Sequence, residues 1–226
     1  MNHLEENWKK LFKIGGAATI ASVLLIPVQI AIFIVWPPPT AIIDWFSLFQ
    51  ESWLMGLLSL DLLYILNNTL MIIVYLALYI ALRRENKVWM SIAFLVGMVG
   101  LTIYYASNTS FEMLALSNQY AEATSESMKA MLLASGQTMM TIYKGTAFNI
   151  YYELNCIALL IMSIVMLQSK VFGKAAAYWG LIAAILMAIP STAGTIGMIF
   201  ALTSLIPWIV FSILIARKFF QLAREH

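Results

Sequence analysis

Six long runs of apolar residues dominate the sequence and limit its possible folds more than any other feature. A helix that crosses a bilayer needs about 20 mostly apolar residues, because each residue adds about 1.5 Å. Lipid-exposed backbone must satisfy its own hydrogen bonds, and these runs lack the short alternating pattern of a β-barrel. We therefore predict an all-α polytopic membrane bundle with six transmembrane helices, at about residues 14–36, 53–82, 88–105, 146–168, 175–190 and 199–216.

The composition agrees with a membrane protein and excludes a soluble domain. Hydrophobic residues make up 62% of the chain and charged residues 11%, against about 45–50% and 25% in soluble domains. Cys156 is the only cysteine, and the two histidines, His3 and His226, stand at opposite ends. This pattern predicts no disulfide, metal site or cofactor. The net charge of +2 carries no nucleic-acid signal.

The positions of lysine and arginine predict the orientation, because cytoplasmic loops are enriched in both. With the N-terminus inside, only Lys129 and Lys144 of the 13 basic residues fall outside. Both termini are therefore predicted to be cytoplasmic. The basic residues on that side are Lys9, Lys10, Lys13, Arg83, Arg84, Lys87, Lys170, Lys174, Arg217, Lys218 and Arg224.

Two predicted outer segments carry amphipathic patterns. After a triple proline, residues 40–50 predict a helix that lies on the outer leaflet, with Thr40 as its cap. Residues 106–145 are too long for a simple connection and predict a helical cap. Its first helix is expected to start at the capping box Thr109–Glu112, and its second near Ser125. An apolar stripe is predicted on the second helix at Met128, Met131, Leu132, Ser135, Met139 and Tyr143.

Several short motifs resemble a bacterial integral-membrane family known only as a domain of unknown function, family 4386. They run in order from the second predicted span to the last, whereas the first span matches less clearly. The resemblance implies a single domain over residues 1–226 in a prokaryotic plasma membrane, and it implies no activity or catalytic residue. The matching motifs are Leu58–Leu63, Leu116–Ser117, Gln119–Tyr120, Ala123–Thr124, Ala134 with Gly136, Tyr143 with Gly145–Phe148, and Ser169–Phe172 with Lys174.

Two acidic residues fall inside predicted spans, where each costs roughly 2.5–3.5 kcal/mol on insertion scales. Asp61 lies eight residues after Trp53, about 12 Å down a continuous helix. Glu153 lies seven residues after Thr146, about 10 Å down its own span. Both spans enter from the outside, so we expect the two carboxyl groups at similar depth.

Other polar side chains share the helix faces of these two acids and predict a polar cavity in the outer half of the membrane. We expect it to bind a small amphiphile or a lipid headgroup. The alternative for single residues is interhelical hydrogen bonding, worth about 0.6 kcal/mol on average. The candidate ligand-binding residues are Asp61, Tyr64, Asn68, Tyr105, Asn108, Asn149, Tyr152 and Glu153.

Three classes of function remain open. Binding without translocation is preferred, because no internal repeat or paired broken helices indicate a carrier. An intramembrane enzyme would use Asp61 and Glu153 as acid and base on a lipid-linked substrate. A partner or sensor subunit would need no ligand at all. Membrane lipids are the expected partners, no nucleic acid is expected, and the oligomeric state stays open.

Overall fold

The computed structural model describes residues 2–224, and the side chains of residues 7–224. His226 and the side chain of His3 therefore lie outside the described residues. All regular secondary structure in the described part is helical, as the sequence predicts. The helices are α1 (Asn2–Val35), α2 (Ile42–Glu51), α3 (Trp53–Ser59), α4 (Leu62–Leu82), α5 (Lys87–Ser107), α6 (Ser110–Glu122), α7 (Glu126–Tyr143), α8 (Thr146–Gln168), α9 (Lys174–Met187) and α10 (Gly194–Leu222).

Five stretches are long and apolar enough to cross a membrane, which indicates a multi-pass membrane protein. The predicted fifth span, residues 175–190, corresponds to α9, which has 14 residues. At 1.5 Å per residue α9 is about 21 Å long, shorter than a hydrocarbon core of about 30 Å. Six spans and cytoplasmic termini therefore stay predictions. The five stretches are Asn7–Val35, Leu62–Leu82, Lys87–Glu122 (α5 and α6), Glu126–Gln168 (α7 and α8) and Gly194–Leu222.

The predicted second span, residues 53–82, is not one helix. The helix α3 ends at Ser59 and α4 begins at Leu62. Between them, Asp61 has a φ of 63°, in the left-handed region that a continuous helix does not use. The predicted depth of 12 Å for Asp61 assumed an unbroken helical rise from Trp53, so the break removes its basis.

The chain forms two compact units, each built from separate segments, and we describe each by itself. Unit 1 comprises Met1–Leu24, Asn67–Thr102 and Asn149–His226, and unit 2 comprises Leu25–Leu66 and Ile103–Phe148. Unit 2 has its own apolar core, supplied by α2, α3, α6 and α7. The buried core residues are Ile42, Trp45, Phe46, Phe49, Leu57, Leu60, Met113 and Leu132.

The helix α2 confirms the amphipathic pattern of residues 40–50 but corrects the predicted environment. Its apolar side chains recur with a helical period at positions 42, 45, 46 and 49, and all four are buried in the core of unit 2. They are covered by protein and are not available to insert into a lipid leaflet. The predicted cap at Thr40 is also wrong, because Ala41 is the N-cap and makes no side-chain cap bond.

The predicted helices of residues 106–145 are present as α6 and α7, with two corrections. Thr109 does not cap α6 with its side chain; Asn108 Oδ1 accepts from the Ser110 N–H at 3.1 Å instead. Ser125 caps α7 as predicted, accepting from the Met128 N–H at 3.2 Å. Met128 and Met131 are exposed, whereas Leu132 and Gly136 are buried. The buried stripe of α7 is therefore rotated from the predicted one, towards positions 132 and 136.

Candidate functional site

The break between α3 and α4 is held by side chains from distant parts of unit 2. Gln29 Nε2 donates to the Leu58 carbonyl at 3.3 Å, and Asn108 Nδ2 donates to the Leu60 carbonyl at 3.0 Å. These carbonyls lie at the C-terminal end of α3, where the normal helical donors are missing. A buried backbone carbonyl without a partner costs about 1–3 kcal/mol, so both amides stabilise the broken helix.

Asp61 lies at the centre of this break and is buried. Its carboxylate accepts a hydrogen bond from the Tyr143 hydroxyl, which follows from the placement of Tyr143 at the end of α7. Its backbone carbonyl accepts from the N–H groups of Tyr64 at 2.9 Å and Ile65 at 3.2 Å, which starts α4. No described lysine or arginine forms an ion pair with Asp61. The site therefore holds a buried acid whose only described side-chain partner is neutral.

A chain of aromatic rings connects the same part of unit 2. The Tyr143 ring lies 6.1 Å from that of Phe148, Phe148 lies 6.4 Å from Tyr104, and Tyr104 lies 6.0 Å from Tyr64, measured between centroids. The Tyr104 and Tyr105 rings lie 6.3 Å apart. Tilted ring pairs at these separations are favourable. They fix the position of Tyr143 beside Asp61.

Two polar atoms on residues beside the break have no hydrogen-bond partner among the described residues. They are Gln29 Oε1 and Ser59 Oγ. Gln29 is 7% exposed and Ser59 is 3% exposed, so both side chains are buried. A buried oxygen without a partner typically costs about 1–3 kcal/mol. Such atoms in a native site need an explanation, for which a bound group is one candidate.

Unit 1 contains a second buried polar network, and its geometry is that of helix packing. Tyr75 on α4 donates its hydroxyl to Asn155 Oδ1 on α8 at 2.7 Å. Asn155 Nδ2 donates to the Tyr151 carbonyl at 2.9 Å, and the Tyr151 hydroxyl donates to Asn68 Oδ1 at 3.3 Å. Gly97 on α5 packs against the Tyr75 ring, where an added Cβ would lie 2.4 Å from Cε2. The network joins α4, α5 and α8. It therefore fits the alternative given for single polar residues, namely interhelical hydrogen bonding.

The eight predicted site residues divide equally between the two units. Asp61, Tyr64, Tyr105 and Asn108 belong to unit 2, and the other four belong to unit 1. Within unit 2, the Tyr64 N–H bonds the Asp61 carbonyl and the Asn108 side chain bonds the neighbouring Leu60 carbonyl, so all three residues adjoin the helix break. The expectation that Asp61 faces Glu153 stays a prediction.

The four predicted residues of unit 1 make different kinds of contact, and Tyr151 lies between two of them, Asn68 and Tyr152. Asn68 belongs to the buried network, and Asn149 accepts a hydrogen bond from the Thr192 hydroxyl. The Tyr152 ring packs edge-on against Tyr151 at 5.6 Å. Glu153 is exposed on α8. Asp61 is buried whereas Glu153 is exposed, so Asp61 is the better centre for a candidate site.

A surface groove of about 350 Å³ lies elsewhere in unit 2, between α2 and α6. None of the predicted site residues lines it. Gln50 is held at its edge by donating to Ser117 Oγ at 2.8 Å and to Asn118 Oδ1 at 3.1 Å. The lining residues are Ile43, Phe46, Ser47, Gln50, Glu51, Tyr120 and Ala121.

The left-handed backbone at Asp61 predicts how substitutions there affect stability. Asp61→Gly and Asp61→Val both remove the carboxylate, but only glycine adopts a positive φ without steric cost. We expect Asp61→Val to unfold at lower denaturant than Asp61→Gly, by about 1–2 kcal/mol. Unfolding titrations with sodium dodecyl sulfate in dodecyl maltoside micelles measure the difference. Equal stabilities would contradict the left-handed assignment.

Sequence reasoning missed three residues of the site: Gln29, Ser59 and Tyr143 as the partner of Asp61. Gln29 did carry a signal, since it is the only amide side chain between Leu24 and Val35. Tyr143 stood in the predicted stripe of α7, but its hydrogen bond joins residues 82 positions apart, and no local pattern encodes that. Ser59 carried no signal of its own.

One comparison with known proteins gives a match. Residues 11–218 match the sequence model of a family described as a domain of unknown function (DUF4386), which confirms the resemblance seen in the motifs. No curated protein and no solved structure is detectably similar to the chain. The match covers more than half of the chain, and its description assigns no chemistry to any residue.

Proposed function

The chain belongs to the DUF4386 family, and we propose that it binds a membrane amphiphile through a positively charged headgroup at Asp61. The observation that carries this proposal is the buried Asp61 carboxylate, whose described partner is the neutral Tyr143 hydroxyl. The proposal keeps the predicted bacterial plasma membrane, six spans and cytoplasmic termini, with the site in the outer half of the membrane.

The charge of the headgroup follows from the electrostatics of burial. A buried carboxylate without a cation is strongly unfavourable, and a cation together with hydrogen bonds offsets much of that cost. Tyr143 supplies one hydrogen bond to Asp61 but no charge. A cationic headgroup would supply the missing charge, whereas an anionic headgroup would be repelled.

The apolar part of the ligand is suggested by the surface of unit 2 near the break. Val28 and Ile30 flank Gln29 on α1 and are exposed, and Trp53 and Leu54 are exposed at the start of α3. An alkyl chain on such residues would bury apolar area, at about 0.8 kcal/mol per methylene group. A headgroup at Asp61 with its chain on this surface is the expected mode of binding.

Dodecylamine tests the proposal with the purified full-length protein in dodecyl maltoside, and dodecanol is the uncharged probe of equal chain length. At ten times its dissociation constant, a ligand of the folded state stabilises by about 1.4 kcal/mol. We therefore expect dodecylamine to raise the Tm by roughly 3–6 °C, measured by tryptophan fluorescence. Dodecanol is expected to produce no comparable rise, and Asp61→Asn is expected to abolish the effect of dodecylamine.

Asp44→Asn provides the matched control, because Asp44 is an exposed aspartate on α2 of the same unit. It undergoes the same chemical change and should keep the full response to dodecylamine. Asn tolerates a positive φ, so Asp61→Asn keeps the backbone at the break. A dodecylamine response that survives in Asp61→Asn, or no response in the unsubstituted protein, would overturn the proposal.

A further inference from the structure

We infer that the helix break selects a primary ammonium headgroup over a quaternary one, through three oxygen atoms that have unused acceptor capacity. The inference rests on the proposed function and adds the chemical class of the headgroup. The three acceptors are an Asp61 carboxylate oxygen, Gln29 Oε1 and Ser59 Oγ. The first carries the charge, and the other two carry the selectivity.

The three acceptors belong to one small part of unit 2. The Cα atoms of Ser59 and Asp61 are two peptide units apart, so they lie within about 7.6 Å of each other. The Gln29 amide is fixed beside them, because its Nε2 donates to the Leu58 carbonyl at 3.3 Å. That bond uses the amide nitrogen and leaves Oε1 without a partner among the described residues. Tyr143 occupies one carboxylate oxygen of Asp61, Oδ2.

Three backbone carbonyls at the break, those of Leu58, Leu60 and Asp61, already accept hydrogen bonds, whereas Gln29 Oε1 and Ser59 Oγ have no described partner. Asn108 Nδ2 bonds the Leu60 carbonyl, and the carbonyl of Asp61 accepts from the first turn of α4. A ligand headgroup at this place would meet two side-chain acceptors without described partners, Gln29 Oε1 and Ser59 Oγ. Gln29 Oε1 can only accept, whereas the Ser59 hydroxyl can accept or donate, so the place favours a ligand that donates hydrogen bonds.

A primary ammonium group has three N–H donors and no acceptor. It can satisfy Gln29 Oε1, Ser59 Oγ and the Asp61 carboxylate together, and so removes the cost of two buried oxygens without partners. A trimethylammonium group carries the same charge but has no N–H donor. It would leave both oxygens unsatisfied, and its methyl groups need more space.

Direct binding of two probes to the full-length protein tests this selectivity. The probes are dodecylamine and dodecyltrimethylammonium chloride, titrated calorimetrically in dodecyl maltoside at a pH where both are cationic. Hydrogen bonds to charged groups contribute enough for a tenfold difference or more. We expect dodecylamine to bind at least about tenfold more tightly.

Ser59→Ala is the most informative variant. The Ser59 hydroxyl is buried and has no hydrogen-bond partner among the described residues, so its removal breaks no described hydrogen bond. We expect it to keep or gain thermal stability, since an unsatisfied polar group is lost. It should weaken dodecylamine binding by about tenfold and leave dodecyltrimethylammonium binding unchanged. Ser47→Ala is the matched control: Ser47 is exposed on α2 and donates to the Ile43 carbonyl at 3.0 Å, and its loss should change neither affinity.

The outcomes separate this inference from the proposed function. Equal binding of both probes, with both lost in Asp61→Asn, would overturn the ammonium selectivity and leave the proposed function standing. Absence of binding by either probe would overturn both. A third titration uses sodium chloride against choline chloride at equal ionic strength. If sodium displaces dodecylamine and stabilises the protein in an Asp61-dependent way, the oxygens bind a metal ion and the inference is wrong.

Discussion

Gly97→Ala is expected to lower the free energy of unfolding by about 1–3 kcal/mol, although alanine is the better helix former by about 1 kcal/mol. The added Cβ would lie 2.4 Å from Cε2 and 2.7 Å from Cδ2 of Tyr75. The ring cannot swing away freely, because the Tyr75 hydroxyl donates to Asn155 Oδ1 at 2.7 Å. Overpacking at this point should therefore strain α4, α5 and α8 of unit 1 together.

Unfolding titrations with sodium dodecyl sulfate measure this effect, and Gly173→Ala is its control. A Cβ at Gly173 meets nothing within 4 Å, so no packing cost is expected there, and the loss of a favourable N-cap residue of α9 should cost no more than about 1 kcal/mol. In a double-mutant cycle, Tyr75→Ala should remove most of the extra cost of Gly97→Ala. If Gly97→Ala is as stable as Gly173→Ala, the close packing of Gly97 on Tyr75 is wrong.

Trp45→Ala is expected to destabilise unit 2 by about 3–5 kcal/mol, the usual range for truncating a buried aromatic side chain. Trp45 is 2% exposed and stands in the core formed by α2, α3, α6 and α7. Its loss leaves a cavity in the core between these four helices. Limited proteolysis in micelles should therefore cut α6 and α7 faster in the variant.

Trp53→Ala is the matched control, eight residues along the chain in the same unit. Trp53 is 59% exposed, so its truncation creates no internal cavity, and we expect a cost within about 1 kcal/mol. The same proteolysis and unfolding measurements apply to both variants. Similar losses for the two tryptophans would show that unit 2 does not have the separate core described above.

The sequence predicts most of the helices because they depend on local patterns. The apolar runs locate the long helices, and the period of 42, 45, 46 and 49 locates α2. Ser125 predicts the start of α7 through a cap that its own neighbours complete. What the local pattern does not encode is the covering of an apolar face. The face of α2 reads equally well as a membrane-surface helix, and only the packing of α6 and α7 decides between them.

Local sequence patterns do not predict the break at Asp61, because distant side chains stabilise it. The apolar run continues through Leu60 and Leu62, and neither glycine nor proline marks the interruption. The carbonyls freed by the break are satisfied by Gln29 and Asn108, which lie 29 and 48 residues away in sequence from the residues they contact. The sequence indicates that breaking the helix is costly, but it does not indicate which two amide side chains offset that cost.

The candidate site is also predictable from the sequence only in part. Asp61 is predictable as an anomaly, because an acid in an apolar run needs a reason. Its grouping with Tyr64 is predicted from one face of a continuous helix, which the break at Asp61 interrupts. The pairing with Tyr143 depends on where α7 finishes, and the chemistry attributed to Gln29 and Ser59 depends on atoms left without partners. Neither property exists until the chain is folded.

The alternation of the two units along the chain has a consequence for biosynthesis. Unit 2 has received all of its segments once Phe148 has left the ribosome, whereas unit 1 still awaits Asn149–His226. At roughly 5–20 residues per second, translation leaves several seconds between the two events. Asp61 and its partner Tyr143 can thus meet while the translocon is still inserting α8, α9 and α10. A nascent chain at this stage already contains Asp61, Tyr143 and three of the five stretches that could cross a membrane, namely Asn7–Val35, Leu62–Leu82 and Lys87–Glu122.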